Sequence, residues 1–132
     1  MRKTSNLLIE KPVELDEHHE EADILFIGFI SSKGAIQEGA ERLNAQGIKV
    51  NTMQIRQLHP MPKDVIQAAI DKASRVIIVE HNYQGQLSNI LKMNTKVEEK
   101  LVNQTKYDGT PFLPHEIEDK GLEIVKEIKE LV

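Results

Sequence analysis

The feature that most constrains the fold of this chain is the almost uninterrupted apolar run ADILFIGF at residues 22–29. The run has the length of one β-strand, and it lacks the alternation of apolar and polar residues that marks a strand with one face in water. Near-continuous apolar strands are typical of parallel sheets, in which helices cover both faces. The run therefore predicts a central strand with a layer of helices on either side.

The segments around this run alternate between helix and strand patterns. Residues 35–47 carry apolar side chains at helical spacing, with Ser31 or Ser32 placed to cap the helix and Gly47 placed to end it. Further strands are predicted at 48–55, 75–80 and 100–107, and further helices at 63–73, 85–93 and 117–132. The alternation in 48–55 predicts a strand less fully buried than 22–29. This order of elements indicates a mostly parallel sheet.

The first part of the chain is expected to lie largely outside this sheet. A group of apolar residues favours a short edge strand near residues 6–10, whereas the acidic run at 14–21 favours a solvated linker. A length of 132 residues suits one domain. We therefore divide the chain into an N-terminal extension or linker at 1–21 and an α/β domain at 22–132.

The composition argues against several classes of protein. The sequence has no cysteine, which rules out a disulfide framework and a cysteine-ligated iron–sulfur cluster in this chain and fits a cytoplasmic location. It has 17 basic and 21 acidic residues, 4% aromatic residues and no basic cluster, unlike most nucleic-acid binders. The longest apolar run, at 24–30, is too short to cross a bilayer. Neither nucleic acid nor a membrane is an expected partner.

The connection rules for parallel sheets place a candidate site at the carboxyl ends of the central strands. Right-handed crossovers put strand 22–29 between strands 48–55 and 75–80, so the direction of winding changes beside it. Ligands of such sheets bind outside the carboxyl ends of the strands at this switch point. The loops at 30–35 and 80–86 are predicted to meet there.

The first of these loops has both a functional and a structural interpretation. Ser31, Ser32, Lys33 and Gly34 precede a helix, where backbone N–H groups could hold a phosphate. They match neither the Walker pattern nor the G-x-G-x-x-G pattern of dinucleotide-binding proteins. A plain helix cap is therefore favoured.

The second loop begins with Glu80 and His81, which are the residue types of an acid/base pair. Neighbours on an extended strand point to opposite faces, so these two side chains are not expected to converge on one substrate. A structural or interface role is favoured for both. The sequence also has no serine nucleophile elbow with ordered acid and histidine partners.

The remaining histidines are interpreted structurally. His18 and His19 lie among acidic residues and could bind a metal ion adventitiously, but a solvated acidic linker is favoured. His59 and His115 each adjoin a proline-containing loop and are interpreted as loop residues. We therefore predict no catalytic, cofactor-binding or metal-binding residue in this chain.

Three ordered segments resemble a known enzyme family. They are ADILFIGFISSKGAIQEGAERLNAQGIKVNTMQIRQLHPMP, VIIVEHNYQGQLSNIL and KYDGTPFLPHEI, which together extend over residues 22–117. In this order they resemble the C-terminal domain of the alpha subunit of 2-oxoacid:ferredoxin oxidoreductases. The middle segment is similar to the most recognisable pattern of that domain, Val-Glu-x-Asn-Tyr-x-Gly-Gln-Leu.

The resemblance implies a three-layer α/β/α fold like that of the transketolase C-terminal domain. Its five-stranded sheet is mostly parallel, and its first strand is antiparallel, which would fit residues 6–10. The order of elements derived from the apolar pattern agrees with this fold.

The resemblance also implies a role within a larger enzyme. Such enzymes decarboxylate a 2-oxoacid on thiamine diphosphate and Mg²⁺, pass electrons through iron–sulfur clusters to ferredoxin, and transfer the acyl group to coenzyme A. In this family the thiamine site lies between an N-terminal domain of the alpha subunit and the beta subunit. We therefore expect no cofactor in this chain, those two parts as its partners, and Met1 as an internal start.

The matched pattern implies an interface at the switch point. The family usually has smaller residues at Phe29-Ile30-Ser31-Ser32 and a neutral or small residue at position 81, so the contact surface here is expected to differ. The interface or crevice candidates are Ser31, Ser32, Lys33, Gly34, Glu80, His81, Asn82, Tyr83, Gly85 and Gln86.

Two other hypotheses compete with this interpretation. The chain could be a free-standing domain that binds a small ligand or phosphate in the same crevice. It could also be the C-terminal domain of another thiamine enzyme, such as a transketolase or a dehydrogenase beta subunit. The NYQGQL segment argues against the second of these.

Overall fold

The structure of the protein is a computed structural model that describes residues 13–56, 62–81, 87–107 and 110–130. The strands in these ranges are β1 (Val13–Asp16), β2 (Ala22–Phe29), β3 (Val50–Ile55), β4 (Ala73–His81) and β5 (Leu101–Lys106). The helices are α1 (Lys33–Ala45), α2 (Lys63–Asp71), α3 (Leu87–Asn94) and α4 (Pro114–Glu130), with 3-10 turns at Ile30–Ser32 and Glu98–Lys100. Within the same ranges, no helix combines the length and the hydropathy needed to cross a membrane.

The described strands form one five-stranded sheet in the order β1-β3-β2-β4-β5. β3, β2, β4 and β5 run parallel to one another, and β1 lies antiparallel to β3. β2 therefore lies between β3 and β4, and the winding direction changes beside it, as predicted. The predicted fold class, a mostly parallel sheet between two layers of helices, is confirmed.

Two hydrophobic cores, one on each face of the sheet, explain the apolar run of β2. Ile24 and Phe26 point into the core shared with α1 and α4, whereas Leu25 and Ile27 point into the core shared with α2 and α3. All four side chains are 0% exposed. Because successive side chains of a strand alternate between faces, a strand with helices on both sides needs an apolar residue at nearly every position.

The antiparallel edge strand is β1, so the assignment of a solvated linker is wrong for Val13–Asp16. Residues 6–10, where the edge strand was predicted, lie outside the described ranges. Val13 pairs with Ile55 and is buried. The strand is stabilised by pairing with β3, which is distant along the chain, and its own short, acidic sequence carries little strand signal.

Two further details differ from the sequence-based expectation. β3 is buried at all six positions, because β1 and β2 flank it on both sides. Its polar residues Asn51, Thr52 and Gln54 are buried with it. α4 begins at Pro114, so His115 lies in the first turn of a helix and not in a loop. A proline suits that position because its fixed φ is helical and its missing N–H is not needed there.

α1 and α4 approach each other closely because a glycine of each helix faces a branched side chain of the other. A Cβ atom placed on Gly39 of α1 would lie 2.5 Å from the Cβ of Ile117 in α4. A Cβ atom on Gly121 of α4 would overlap the side chain of Leu43 in α1. These two contacts set the distance between the helices that cover one face of the sheet.

We predict that Gly39→Ala destabilises the chain by about 1–3 kcal/mol, because the added methyl group overlaps Ile117 in a packed core. Gly34→Ala is the matched control, since a Cβ atom at Gly34 meets nothing within 4 Å. Urea unfolding of both variants tests the prediction. Equal stabilities for the two variants would contradict the close packing of α1 on α4.

Candidate functional site

The two loops predicted to meet at the switch point do border one crevice. It is a cavity of about 320 Å³ at the carboxyl ends of β2 and β4. The 3-10 turn and the start of α1 form one wall, and the end of β4 with the segment before α4 forms the other. Its lining residues are Ser31, Ser32, Gly34, Ala35, His81, Pro111 and Phe112. Sequence reasoning missed Pro111 and Phe112, which reach the crevice only through the folding of the chain.

His81 is held in place on the wall of this crevice by the segment before α4. Its Nε2 atom lies 2.7 Å from the backbone oxygen of Thr110, and its ring centroid lies 5.0 Å from that of Phe112. A carbonyl oxygen only accepts hydrogen bonds, so Nε2 carries the hydrogen. The ring is 8% exposed. His81 therefore tethers the chain that precedes α4 to the end of β4.

Glu80 points to the opposite face of the sheet, as the strand period predicted. Its carboxylate accepts hydrogen bonds from the backbone N–H groups of Leu87, at 3.0 Å, and Ser88, at 3.2 Å. These are the first residues of α3, where unpaired N–H groups and the helix dipole favour a negative charge. Glu80 is 4% exposed and acts as the cap of α3. It is not placed to share a substrate with His81.

Lys33 is directed toward β1 and is not a lining residue of the crevice. Its Nζ atom lies 2.6 Å from an oxygen of Glu14, and Arg56 forms an ion pair with the other oxygen of the same carboxylate. The hydrogen bonds from Lys33 and then Arg56 hold the pKa of Glu14 below its ordinary value. Ser32 occupies the N-cap position of α1 but makes no capping hydrogen bond with its side chain. The predicted loop residues thus divide between the crevice and the β1 edge.

A second cluster, also missed by sequence reasoning, fixes the segment beside the crevice. Lys106 at the end of β5 donates to Oε1 of Glu116, at 2.8 Å, and to the backbone oxygen of Pro111. The backbone N–H of Leu113 donates to the same Glu116 oxygen at 2.7 Å. Burial works to raise the pKa of Glu116, but the hydrogen bonds from Lys106 and Leu113 and the nearby charges of Lys106 and His115 together lower the pKa below its ordinary value. The Lys106 ammonium also lies 5.3 Å from the ring centroid of Phe112.

Within the described ranges, the adjacent histidines His18 and His19 do not form part of a metal site. His18 pairs with Asp16, and the ring of His19 bonds to Asn44, so the two adjacent histidines serve separate contacts. The described part of the chain contains no group of three or more acidic or histidine side chains that could hold a metal ion. His59, Asn82, Tyr83, Gly85 and Gln86 lie outside the described ranges.

Comparison with known proteins adds an independent observation to this geometry. The profile of the family described as pyruvate:ferredoxin oxidoreductase core domain II matches residues 22–117, which is most of the chain. The chain belongs to this family. The matched range is the one over which the three ordered segments resembled the alpha subunit of 2-oxoacid:ferredoxin oxidoreductases, and that resemblance is confirmed.

Relatives of this oxidoreductase domain include both much longer proteins and one chain of similar length, the alpha chain of a probable 2-oxoacid ferredoxin oxidoreductase from Thermoplasma acidophilum, which is 29% identical with a TM-score of 0.56 over 87% of this chain and 97% of that one. The chain is 36% identical, over 110 residues, to subunit alpha of 2-oxoacid:ferredoxin oxidoreductase 1 from Aeropyrum pernix, covering 81% of this chain and 17% of the relative. A solved 2-oxoglutarate:ferredoxin oxidoreductase from Magnetococcus marinus, with 2-oxoglutarate, coenzyme A and succinyl-CoA bound, is 34% identical with a TM-score of 0.80. That match covers 92% of this chain and 21% of the solved one.

The oxidoreductase domain also shares its fold with transketolases. A split-gene transketolase, solved as an inactive beta4 tetramer, is 12% identical with a TM-score of 0.64, over 89% of this chain and 44% of that one. At this identity the likeness is one of fold alone. The predicted transketolase-like architecture is confirmed, and the hypothesis that the chain is a transketolase domain gives way to the oxidoreductase family.

We predict that Glu80→Gln destabilises the oxidoreductase domain by about 1–2 kcal/mol, because the amide removes the charge and one of the two acceptor oxygens at the start of α3. Glu99→Gln, at an exposed position in the described part of the chain, is the control. Urea unfolding measures the loss, and hydrogen exchange at Leu87 and Ser88 locates it. If these two amides exchange in Glu80→Gln as slowly as in the parent protein, the capping role of Glu80 is contradicted.

We predict that the stability contributed by Glu116 depends on pH. Its folded pKa is lowered, so its stabilising effect is complete at neutral pH and is lost as the pH falls below the ordinary glutamate value of 4.5. Glu116→Gln should therefore be less stable than the parent at pH 7, with a smaller difference at acid pH. Urea midpoints across this range test the prediction, with the exposed Glu123→Gln as control. A difference that does not change with pH would contradict it.

Proposed function

We propose that this chain is a docking and scaffold domain of a thiamine-dependent 2-oxoacid:ferredoxin oxidoreductase and has no catalytic activity alone. The observation that carries the proposal is the use of Glu80 and His81. They are the two candidate acid/base residues predicted at the switch point; Glu80 lies on the face opposite the crevice, and each is committed to a structural contact on its own face of the sheet. The family match supplies the enzyme in which such a domain would serve.

The described residues do not fit thiamine diphosphate and its magnesium ion. In an enzyme of this family, the cofactor would supply a nucleophilic carbon and an electron sink for the decarboxylation of the 2-oxoacid. A diphosphate held through Mg²⁺ needs oxygen ligands that converge on one point. Over the described ranges no such acidic group is assembled. The titratable side chain that lines the crevice is His81, and its Nε2–H donates to Thr110.

The crevice is instead suited to support a neighbouring protein surface. One of its walls is tethered from behind: His81 holds Thr110, and Lys106 holds Pro111. Tyr107, which follows β5, is 77% exposed, and Leu113, which precedes α4, is 48% exposed. Exposed apolar side chains on a well-anchored frame are typical of a contact surface. We propose a thiamine-binding domain and a beta subunit as the parts that it meets.

A test of activity separates a scaffold from an enzyme. The purified chain is incubated with pyruvate, 2-oxoglutarate and a branched-chain 2-oxoacid, together with thiamine diphosphate, Mg²⁺, coenzyme A and a one-electron dye. We expect no dye reduction above the rate without protein. The same mixture with the thiamine-binding domain and beta subunit added is the positive control. Turnover by the chain alone would refute the scaffold role.

A test of docking uses two serine variants at opposite ends of the sheet. Ser31→Arg places a large charged side chain in the crevice at an exposed position, and Ser74→Arg does the same at the amino end of β4. Both variants should keep the melting temperature of the parent. We expect Ser31→Arg to weaken association with the remaining enzyme parts by about tenfold or more, and Ser74→Arg to leave it unchanged. If both variants changed the association equally, the docking surface would lie elsewhere on the domain.

A second candidate function rests on the volume of the crevice. A cavity of about 320 Å³, bordered by the serines at the start of α1, has the size of a small-ligand site. A thermal-shift screen of nucleotides, inorganic phosphate and coenzyme A tests this alternative on the purified chain. A rise in melting temperature that Ser31→Arg abolishes would favour ligand binding, and flat results across the panel would leave docking as the function of this face.

A further inference from the structure

A second surface lies at the end of the sheet opposite the crevice, around the loop that joins α1 to β3. Ile48 of that loop lines two neighbouring surface grooves, of about 670 Å³ and about 470 Å³. The first groove is bordered by the turn that follows β1, and the second by the last turns of α4. Neither groove shares a lining residue with the crevice. The two grooves together are called the Ile48 surface below.

The centre of the Ile48 surface is apolar and open to solvent. Ile48 is half-buried, and Leu122 of α4 is 38% exposed. Val125, on the next turn of α4, is half-buried in the same groove as Leu122, and Ala45 is exposed in the other groove. Apolar side chains that adjoin one another in exposed grooves with a polar rim are typical of a protein–protein contact.

The charges on the two sides of Ile48 have opposite signs. The side next to β1 carries three exposed carboxylates and one lysine, and the side formed by α4 carries two exposed lysines and one carboxylate. These residues are, in that order, Glu20, Glu21, Glu41 and Lys49, then Lys126, Lys129 and Glu130. The formal charge is thus negative on the first side and positive on the second.

The charges that define the two sides find no partner among the described residues. Across the described ranges, the side chains of Glu20, Glu21, Glu41, Lys126 and Lys129 take part in no ion pair or hydrogen bond. Other charges on α1 and α4 do pair within the chain; these pairs are Arg42 with Glu38, Arg42 with Glu118, and Lys120 with Glu123. The side chains on the Ile48 surface are therefore available to a partner.

We propose that the Ile48 surface is an interface between two copies of this chain, related by a twofold axis that passes close to Ile48. A twofold axis brings the same surface of both copies together, so that each half of the surface meets the other half. The acidic side of one copy then faces the basic side of its partner, twice, and the two apolar centres meet. A partner with charge of one sign alone would match half of the surface and oppose the other half.

The two crevices stay open in such a pair. The Ile48 surface lies at the amino end of β3, whereas the crevice lies at the carboxyl ends of β2 and β4. The proposal therefore goes beyond docking at the crevice and does not depend on it. Because the grooves are small and their rims are polar, the expected dissociation constant is about 10⁻⁵–10⁻⁴ M.

Sedimentation equilibrium of the full 132-residue chain tests the proposal. Between about 1 μM and about 1 mM, we expect the average mass to rise from that of one chain toward that of two. A chain that stays monomeric over this whole range would overturn the proposal. Growth beyond two copies would show a contact that does not close on itself, and it would overturn the twofold arrangement.

Two charge-reversed variants identify the surface that associates. Lys126→Glu with Lys129→Glu makes both sides acidic, and Glu20→Lys with Glu41→Lys makes both sides basic. Each variant alone should lose self-association by about tenfold or more. Mixed in equal amounts, the two variants should form a heterodimer, because the reversed side of each again meets an opposite charge. Full self-association of either variant alone, or no association on mixing, would overturn the proposal.

A matched control separates this surface from a general effect of charge. Lys92→Glu with Lys96→Glu makes the same change of charge at exposed positions at the end of α3, which packs on the other face of the sheet. This control should keep the self-association of the parent. An equal loss in the control would overturn the proposal.

Leu122→Gln tests the apolar centre without a change of charge. We expect this variant to weaken self-association by about tenfold, since the exposed leucine loses an apolar contact in both halves of the pair. An unchanged melting temperature at low protein concentration shows that the fold is kept. Self-association equal to that of the parent would overturn the assignment of this surface as the interface.

Discussion

The burial of β2 on both faces is the constraint on which the rest of the structure depends. Leu25 and Phe26 are adjacent in sequence, yet each is fully buried in a different core. A strand of this kind needs a helix layer on each side, and parallel neighbours connected by crossovers supply those layers. The reversal of winding beside β2 then opens a crevice at its carboxyl end. The position of the candidate site is thus a consequence of the core.

The polar residues at the end of β4 are used for structural contacts. Glu80 satisfies the N–H groups that begin α3, and His81 holds the backbone of Thr110. The His81 contact fixes one wall of the crevice, and the Glu80 contact fixes α3 on the opposite face of the sheet. This arrangement agrees with a domain that matches about a fifth of two longer oxidoreductase chains. A rigid surface at the carboxyl ends of the strands would suit the proposed docking of another domain.

The sequence allowed prediction of those features that depend on local patterns. The run of β2 predicted its burial, and the period of a strand predicted that Glu80 and His81 diverge. β1 escaped prediction because four residues, two of them acidic, become a strand only through pairing with β3. The Lys106–Glu116 ion pair and the contact of Phe112 with His81 escaped it too, because they join segments that are adjacent only after the chain has folded.

The central proposal is that the domain docks through the crevice at the carboxyl ends of its parallel strands. Hydrogen exchange tests this proposal most directly. Exchange is compared between the chain alone and the chain mixed with the thiamine-binding domain and beta subunit that are proposed as its partners. The account predicts slower exchange on assembly at residues 30–35 and 110–113, with no change at the amino end of the sheet around Ser74. Slower exchange confined to the amino end, or no change at the crevice, would contradict it.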